Sequence, residues 1–417
     1  MKAFRKTGAV ALSCALLLTG PVFAEMPVAG VPVPELALLD REMTAFMEEK
    51  GISAGSLSVM KDGKTVFHHV YGWQDREKLK PLRPDAIFRV ASVTKPFTAA
   101  AIRKLIADGE LSLDTPVFKL EGKGVLDLKP VGEPDARLKD ITVDHLLKHR
   151  GGWDRQVAGD LTYAELKIAA ALKVPSPPSR EDTVRYIMGQ PLQNDPGAKY
   201  AYSNIGYLLL GLIVEKVSGQ DYRSFVQANV VGPAGFTEED WILGRSFAKD
   251  ADPREPYYDE TRTGMNVFFP AASKVPLVEL PYGSFDMEAR TGQGRIVTNG
   301  RLILGYLNRY QVVGEKIGGP RPAPGKWSWN HNGAQKGTNA DASQRGDGIN
   351  FAILFNKRPR SGSFTQEIKR KLDKIFDDKV ITTWPVADVS GRQADKPQTK
   401  IGGDPLMLSC STEPGRH

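Results

Sequence analysis

Residues 92–109 read SVTKPFTAAAIRKLIADG, and they place a serine three positions before a lysine at the head of an apolar run. Apolar residues recur at helical spacing as far as Ile106, and Gly109 is typical of a helix end. On a helix, positions i and i+3 share one face, so Ser92 and Lys95 would lie side by side. A neutral lysine amine there can take the hydroxyl proton and make Ser92 a nucleophile.

Two other Ser-x-x-Lys matches do not support this chemistry. Ser58 and Lys61 lie in a predicted hairpin, and on a strand their side chains would point to opposite faces. Ser246 and Lys249 lie in a polar stretch without apolar periodicity. Only the serine that begins an amphipathic helix therefore remains a candidate nucleophile.

Strand-like segments lie near both ends of the chain, and helical patterns fill its middle. A hairpin is predicted over residues 55–71 with an Asp-Gly turn at 62–63, and the strands KWSWNHNGA and INFAILFNKR are joined through an Asp-Gly turn at 347–348. The amphipathic helices VPELALLDREMTAFMEEKG and FTQEIKRKLDKIFDD lie outside these strands. This order predicts an α+β fold, an α/β sandwich: an antiparallel sheet built from both chain ends, flanked by the terminal helices, with an inserted, mostly helical subdomain.

The first 24 residues have the pattern of a secretory signal peptide, with Lys2, Arg5 and Lys6 before a short apolar core and the end VFA. Without them the count of Lys and Arg falls from 56 to 53 against 49 Asp and Glu, a net charge of +4. No dense basic block remains, which argues against nucleic-acid binding. No later segment approaches the roughly 18 apolar residues of a membrane span. We expect a periplasmic or secreted protein whose one remaining cysteine, Cys410, forms no internal disulfide.

The predicted domain organisation is a signal peptide (1–24), one catalytic domain (25–383) with its helical subdomain at roughly 97–310, and a polar, aperiodic tail (384–417) that we expect to be disordered. His145 and His149 have a spacing that can share a metal, but no glutamate completes an HExxH pattern. We therefore predict no metal site and no cofactor.

A serine nucleophile also needs a proton route to the leaving group and an oxyanion hole. Tyr202 and Asn204 lie on a predicted loop before a strongly apolar helix, so both can project into one cleft. The tyrosine can relay a proton, and the asparagine can hold a substrate carbonyl or the lysine. A second Tyr-x-Asn match at residues 306–308 lies inside a helical pattern, where the two side chains diverge.

The segment WNHNGAQKG supplies a third element on a predicted strand at the edge of the sheet. We predict that the substrate-binding residues include Asn204, His331, Asn332 and Gly333. Gly333 permits a close approach of the backbone. The amide of Ala334 can then donate to an oxyanion together with the amide of Ser92.

These motifs, in this order, resemble those of the serine β-lactamase and penicillin-binding superfamily over roughly residues 33–378. Within it the chain is most similar to class C β-lactamases, D-Ala-D-Ala carboxypeptidases, D-aminopeptidases and family VIII esterases. The matching landmarks are FRVASVTKPFTAAAIRKL, GELSLDTPV, ITVDHLLKHRGG, YSNIGYLLLGLIVEKVSG and HNG.

The resemblance implies that Ser92 is the acylated nucleophile, Lys95 its base, Tyr202 the proton shuttle and Asn204 an organising residue. His331 replaces the lysine of the Lys-Thr-Gly pattern that is typical of class C β-lactamases, and a His-x-Gly pattern is similar to the peptidases. The resemblance implies a serine hydrolase for small-molecule or cell-wall peptide substrates, with β-lactam hydrolysis first, and the signal-like N-terminus predicts its export. A D-peptidase, a carboxylesterase and a penicillin-binding protein that turns over slowly are the alternatives.

Overall fold

The structure is a computed structural model that describes residues 25–269 and 276–389. The predicted signal peptide lies outside the described residues, as does the predicted tail beyond residue 389. The strands are β1 (Val28–Gly30), β2 (Ala54–Lys61), β3 (Lys64–Gly72), β4 (Phe88–Arg89), β5 (Trp241–Leu243), β6 (Thr263–Met265), β7 (Leu277–Glu279), β8 (Ile296–Thr298), β9 (Ser328–Gln335), β10 (Thr338–Arg345) and β11 (Ile349–Phe355).

A six-stranded antiparallel sheet in the order β1-β3-β2-β11-β10-β9 forms the centre of the fold. The predicted hairpin is its β2–β3 pair, and the turn uses positive φ angles at Asp62 and Gly63. β2 from the N-terminal half pairs directly with β11 from the C-terminal half, with Leu57 opposite Ile353. The prediction of a sheet built from both chain ends is confirmed.

The C-terminal part of the sheet has three strands where the sequence predicts two. β10 lies between the two predicted strands, and the predicted Asp-Gly turn joins β10 to β11. Its sequence, TNADASQR, lacks the apolar alternation that marks a strand, yet all eight residues are buried. Asp341 in this strand accepts hydrogen bonds from Asn330, Ser343 and Gln366. Polar contacts rather than apolar packing satisfy this strand, which is why the periodicity missed it.

The helices cover both faces of the sheet. α1 and α11 pack on one face with the apolar side chains of β2 and β11, and α10 packs on the other face of the same two strands. The helices are α1 (Ala37–Lys50), α2 (Thr94–Ala107), α3 (Val143–Leu147), α4 (Arg155–Ala158), α5 (Glu165–Leu172), α6 (Arg180–Met188), α7 (Asn204–Ser218), α8 (Tyr222–Val226), α9 (Thr291–Gly294), α10 (Gly300–Arg309) and α11 (Phe364–Asp377).

The middle of the chain is mostly helical, but it also contains a three-stranded sheet, β4-β8-β5, and the hairpin β6–β7. α10 packs on the large sheet although it falls inside the predicted helical subdomain, whose boundaries stay a prediction. Trp384 and Val389, at the start of the predicted tail, contact the core beneath α1 and α11. Within the described ranges, no helix is long and apolar enough to cross a bilayer.

Candidate active site

Ser92 lies in a single 3-10 turn, Ala91–Val93, directly before α2. Ala91 has a φ of +47°, a left-handed conformation that an alanine rarely adopts. Ile296 of β8 donates its backbone N–H to Thr94 Oγ1, and β9 packs against the turn from the other side. The surrounding strands therefore hold a strained backbone at the residue before the candidate nucleophile.

Lys95 is fully buried in the first turn of α2 and faces three oxygens. Its Nζ lies 3.1 Å from Ser92 Oγ, 2.8 Å from Asn204 Oδ1 and 2.7 Å from the backbone oxygen of Gln293. Burial holds the pKa of Lys95 well below its usual range. A neutral amine has two N–H donors, which Asn204 and Gln293 accept, so its lone pair faces the Ser92 hydroxyl.

Tyr202 completes the surroundings of the serine, because its hydroxyl donates to Ser92 Oγ over 2.7 Å. The ring of His149 packs on the Tyr202 ring with 4.5 Å between centroids, and the Arg155 guanidinium lies 4.6 Å from the ring centroid. Burial raises the pKa of Tyr202, so the phenol keeps its proton at neutral pH. The Tyr202 hydroxyl is therefore protonated, and the packing of its ring holds it next to Ser92.

Asn204 is the first residue of α7, and the helix is capped by Ser203, whose hydroxyl accepts from the amide of Gly206. The Asn204 side chain is therefore free of a capping role. Its Oδ1 faces Lys95, and its Nδ2 donates to Asp160 Oδ2 over 2.6 Å.

The third motif lies on β9, the edge strand nearest to Ser92. A Cβ on Gly333 would lie 2.1 Å from the Val90 backbone oxygen and 3.1 Å from the Ser92 backbone nitrogen, so the two segments touch through their backbones. Asn332 and Ala334 are exposed and line the cavity in front of Ser92. This close approach is the reason that the motif requires glycine.

His331 points to the buried face of β9 and is only 8% exposed. Its Nδ1 lies 3.0 Å from the Asn332 carbonyl oxygen, which makes Nδ1 the donor. Burial lowers the pKa of His331 to about 4, so the ring is neutral at pH 7. The third motif therefore holds no permanent cation.

A cavity of about 530 Å³ opens in front of Ser92, Tyr202 and Asn204. Its other lining residues include Asn332 and Ala334, the basic residues Arg155, Lys336 and Arg358, and the acidic Asp160. Burial, opposed by Glu165, lowers the pKa of Lys336 to about 8, a value that leaves the lysine mostly protonated at pH 7. The cavity is thus positively charged overall.

Several residues at the site escaped the sequence analysis. Asp160 and Lys336 lie in loops or turns, and Gln293 lies in the four-residue helix α9, which is too short to show a periodicity. Gln293 contributes a backbone oxygen, for which a sequence carries no signal. In the sequence Asp160 has the pattern of an ordinary turn residue, and it does cap the 3-10 turn Leu161–Tyr163.

The two histidines with metal spacing have other roles. His145 forms a capping box with Thr142 at the start of α3. His149 Nδ1 accepts from the Ser203 amide over 3.1 Å, and its ring packs between Tyr202 and Tyr207. Within residues 25–269 and 276–389, no three His, Cys, Asp or Glu residues are grouped as metal ligands would be.

An α+β fold with a serine, a buried lysine and a tyrosine in mutual contact defines a class of protein, the serine hydrolases of the β-lactamase and penicillin-binding superfamily. The sequence profile of the Beta-lactamase family matches residues 39–267, more than half of the chain. The chain belongs to this family.

Esterase EstB of Burkholderia gladioli is 31% identical over 229 residues, which are 54% of this chain and 55% of the esterase. Penicillin-binding protein 4* of Bacillus subtilis is 29% identical over 196 residues, which are 46% of this chain and 38% of that protein. The alignments therefore span about half of these relatives or less.

Solved structures share the fold. A penicillin-binding protein homologue from Pyrococcus abyssi superimposes with a TM-score of 0.58 at 23% identity, covering 82% of this chain and 77% of that chain. A class C β-lactamase superimposes with a TM-score of 0.57 at 16% identity, covering 82% and 96%. At such identities the likeness establishes the fold alone.

Proposed function

We propose that this chain hydrolyses an amide or ester through an acyl-enzyme on Ser92. The observation that carries the proposal is the position of Ser92 Oγ, 3.1 Å from Lys95 Nζ and 2.7 Å from the Tyr202 hydroxyl. A nucleophile, a base with a lowered pKa and a protonated phenol are the groups that acyl transfer needs.

In the first step Lys95 takes the Ser92 proton while Oγ forms a bond to the substrate carbonyl carbon. The carbonyl oxygen becomes an oxyanion, which the amides of Ser92 and Ala334 hold; losing one such donor typically costs about 3–4 kcal/mol. The intermediate then collapses, the bond to the leaving group breaks, and a proton reaches the leaving group through Tyr202. Water then attacks the acyl carbonyl carbon and gives up a proton to the same basic groups. The bond between this carbon and Ser92 Oγ breaks, Oγ takes a proton back, and the acid is released.

We propose β-lactams as the first substrate class. These compounds carry a carboxylate, and the cavity contains Arg155, Lys336 and Arg358 against one carboxylate, Asp160. Complementary charge favours both the encounter with an anionic substrate and its orientation.

Carboxylic esters are a second candidate, favoured by the third motif. The neutral, buried His331 provides no cation at the position where the family's Lys-Thr-Gly pattern has a lysine. A small neutral ester does not need one, and the similarity to an esterase agrees with this candidate.

A time course of intact mass with a penicillin, then a cephalosporin, tests both candidates, with Ser92→Ala as the control. An adduct on Ser92 that forms and clears while the drug is consumed supports a β-lactamase. An adduct that persists points to a D-Ala-D-Ala-type peptidase or a slow penicillin-binding protein. Intact drug with no adduct moves the assignment to esters, which are then tried. Turnover by Ser92→Ala at the rate of the unchanged protein would refute the acyl-enzyme.

We also propose export to the periplasm or beyond, supported by the signal-like pattern of residues 1–24. Expression of the full chain followed by osmotic shock and N-terminal sequencing tests it. A mature chain that begins at Glu25 in the shock fluid is expected; an uncleaved chain in the cytoplasm would contradict export.

A further inference from the structure

The Asn204 side chain has two ends that differ in chemistry, and the active site uses each of them. Its Oδ1 lies 2.8 Å from Lys95 Nζ, and its Nδ2 lies 2.6 Å from Asp160 Oδ2. If the amide rotated by half a turn, Nδ2 would face the lysine and donate to its lone pair. That lone pair must stay open to the Ser92 hydroxyl for the lysine to act as a base.

Asp160 is itself held in place. Its Oδ1 accepts from the backbone amide of Thr162 over 3.1 Å and from the Thr162 hydroxyl over 2.7 Å. These bonds cap the turn Leu161–Tyr163 and leave Oδ2 directed at Asn204. A carboxylate accepts hydrogen bonds and cannot donate them, so it bonds the NH₂ end of the amide and not the oxygen end.

We propose that Asp160 is a positioning residue that fixes the orientation of the Asn204 amide and thereby keeps the Lys95 lone pair directed at Ser92. The inference deepens the proposed function and rests on it. Asp160 acts through Asn204, which lies between its carboxylate and the lysine. No feature of the sequence singles Asp160 out, because its partner is 44 residues away.

Because Asp160 is charged, its role can be detected in the pH dependence of the reaction rate. The positive groups near Lys95 are Arg155 and Arg290, which lower the pKa of the lysine, whereas Asp160 raises it. The neighbouring titratable rings are His149, His331, Tyr202 and Tyr207. Removing the Asp160 charge therefore lowers the pKa of Lys95 further, and the acid limb of any rate that needs neutral Lys95 moves to lower pH.

The test uses a fluorophosphonate probe, which loses fluoride as the Ser92 oxygen bonds to phosphorus and so reports the nucleophile without knowledge of the substrate. Labelling rates are compared across pH for the unchanged protein, Asp160→Asn, Asn204→Ala and the double variant. Asp154→Asn is the matched control, because Asp154 caps the neighbouring short helix α4 in the same way, accepting from the Gln156 amide. Asparagine is itself a good cap, so Asp160→Asn keeps the turn.

We expect Asp160→Asn to slow labelling at the pH optimum about tenfold, a change within the range of coupled contacts, and to move the acid limb to lower pH. Asp154→Asn should change neither the labelling rate at the pH optimum nor the position of the acid limb. In the Asn204→Ala background, Asp160→Asn should slow labelling no further. An additive loss in the double variant, or a slower rate with an unmoved acid limb, would overturn the positioning role. Labelling that persists in Ser92→Ala would instead refute the proposed function, so the two failures are distinguishable.

Discussion

Replacing Gly333 by alanine tests the contact between β9 and the Ser92 turn with one added methyl group. The φ of Gly333 is not in the left-handed region, so alanine fits the local backbone and the contact alone is perturbed. The new Cβ would lie 2.1 Å from the Val90 oxygen, a carbonyl that cannot rotate away. Ordinary contact requires more than 3 Å, so the two segments must separate by about 1 Å.

A displacement of about 1 Å at the reacting centre costs on the order of 100-fold in rate. The loss of one oxyanion donor costs a similar factor, about 10²–10³ in kcat. The free energy of unfolding should fall by about 1–3 kcal/mol, the usual cost of overpacking, and the chain should stay folded because β9 is paired on one side only and can move outward. We therefore expect a folded Gly333→Ala variant whose turnover or probe labelling falls about 100-fold.

Fluorophosphonate labelling rates and urea unfolding measure the two effects on the same samples. Gly206→Ala is the matched control, since the nearest atom to its added Cβ is the Leu146 oxygen at an ordinary 3.5 Å. If the Gly333→Ala variant is labelled as fast as the unchanged protein, the contact between β9 and the Ser92 turn does not position the amides that hold the oxyanion.

Three further predictions concern charge. Lys95→Arg should slow labelling about 10²–10⁴-fold, because an arginine stays protonated and cannot act as the base; labelling at the unchanged rate would contradict the role of Lys95. The folded pKa of His331, about 4, lies below its unfolded value of about 6.5, so the unfolded chain binds more protons between these values and stability falls as pH drops through them. His331→Gln should remove about 1.5 kcal/mol of the stability that urea unfolding shows to be lost between pH 6.5 and 5, whereas an unchanged slope would show that His331 is not a neutral buried group. Glu165→Gln should destabilise the fold by about 3–5 kcal/mol in the same assay, because it leaves the Arg290 guanidinium buried without the carboxylate that now lies 2.5 Å away; a loss under 1 kcal/mol would refute this.

The parts of the fold that the sequence predicts are those in which apolar periodicity determines the structure. The β2–β3 hairpin, α2 and α11 are rich in apolar side chains that are buried in the core, and their ends carry Asp-Gly or a capping serine. β10 could not be predicted in this way, because its buried side chains are largely polar and are held by hydrogen bonds to Asp341 rather than by apolar packing.

The same distinction divides the candidate site. Ser92, Lys95, Tyr202 and Asn204 were predictable because their motifs begin helices, and the structure brings these four together. Their chemical roles stay predictions. Asp160 was not predictable, because its significance comes from a contact between two loops that local patterns do not record.

The pairing of β2 with β11 also determines how late in synthesis the central sheet can be completed. A growing chain that has reached residue 267, the end of the segment matched by its family, already contains the serine, the lysine and the tyrosine. It still lacks β9, β10 and β11, and so it lacks half of the central sheet and the strand that faces the serine. The central sheet and the cleft beside Ser92 can therefore be completed only after the three C-terminal strands have been synthesised.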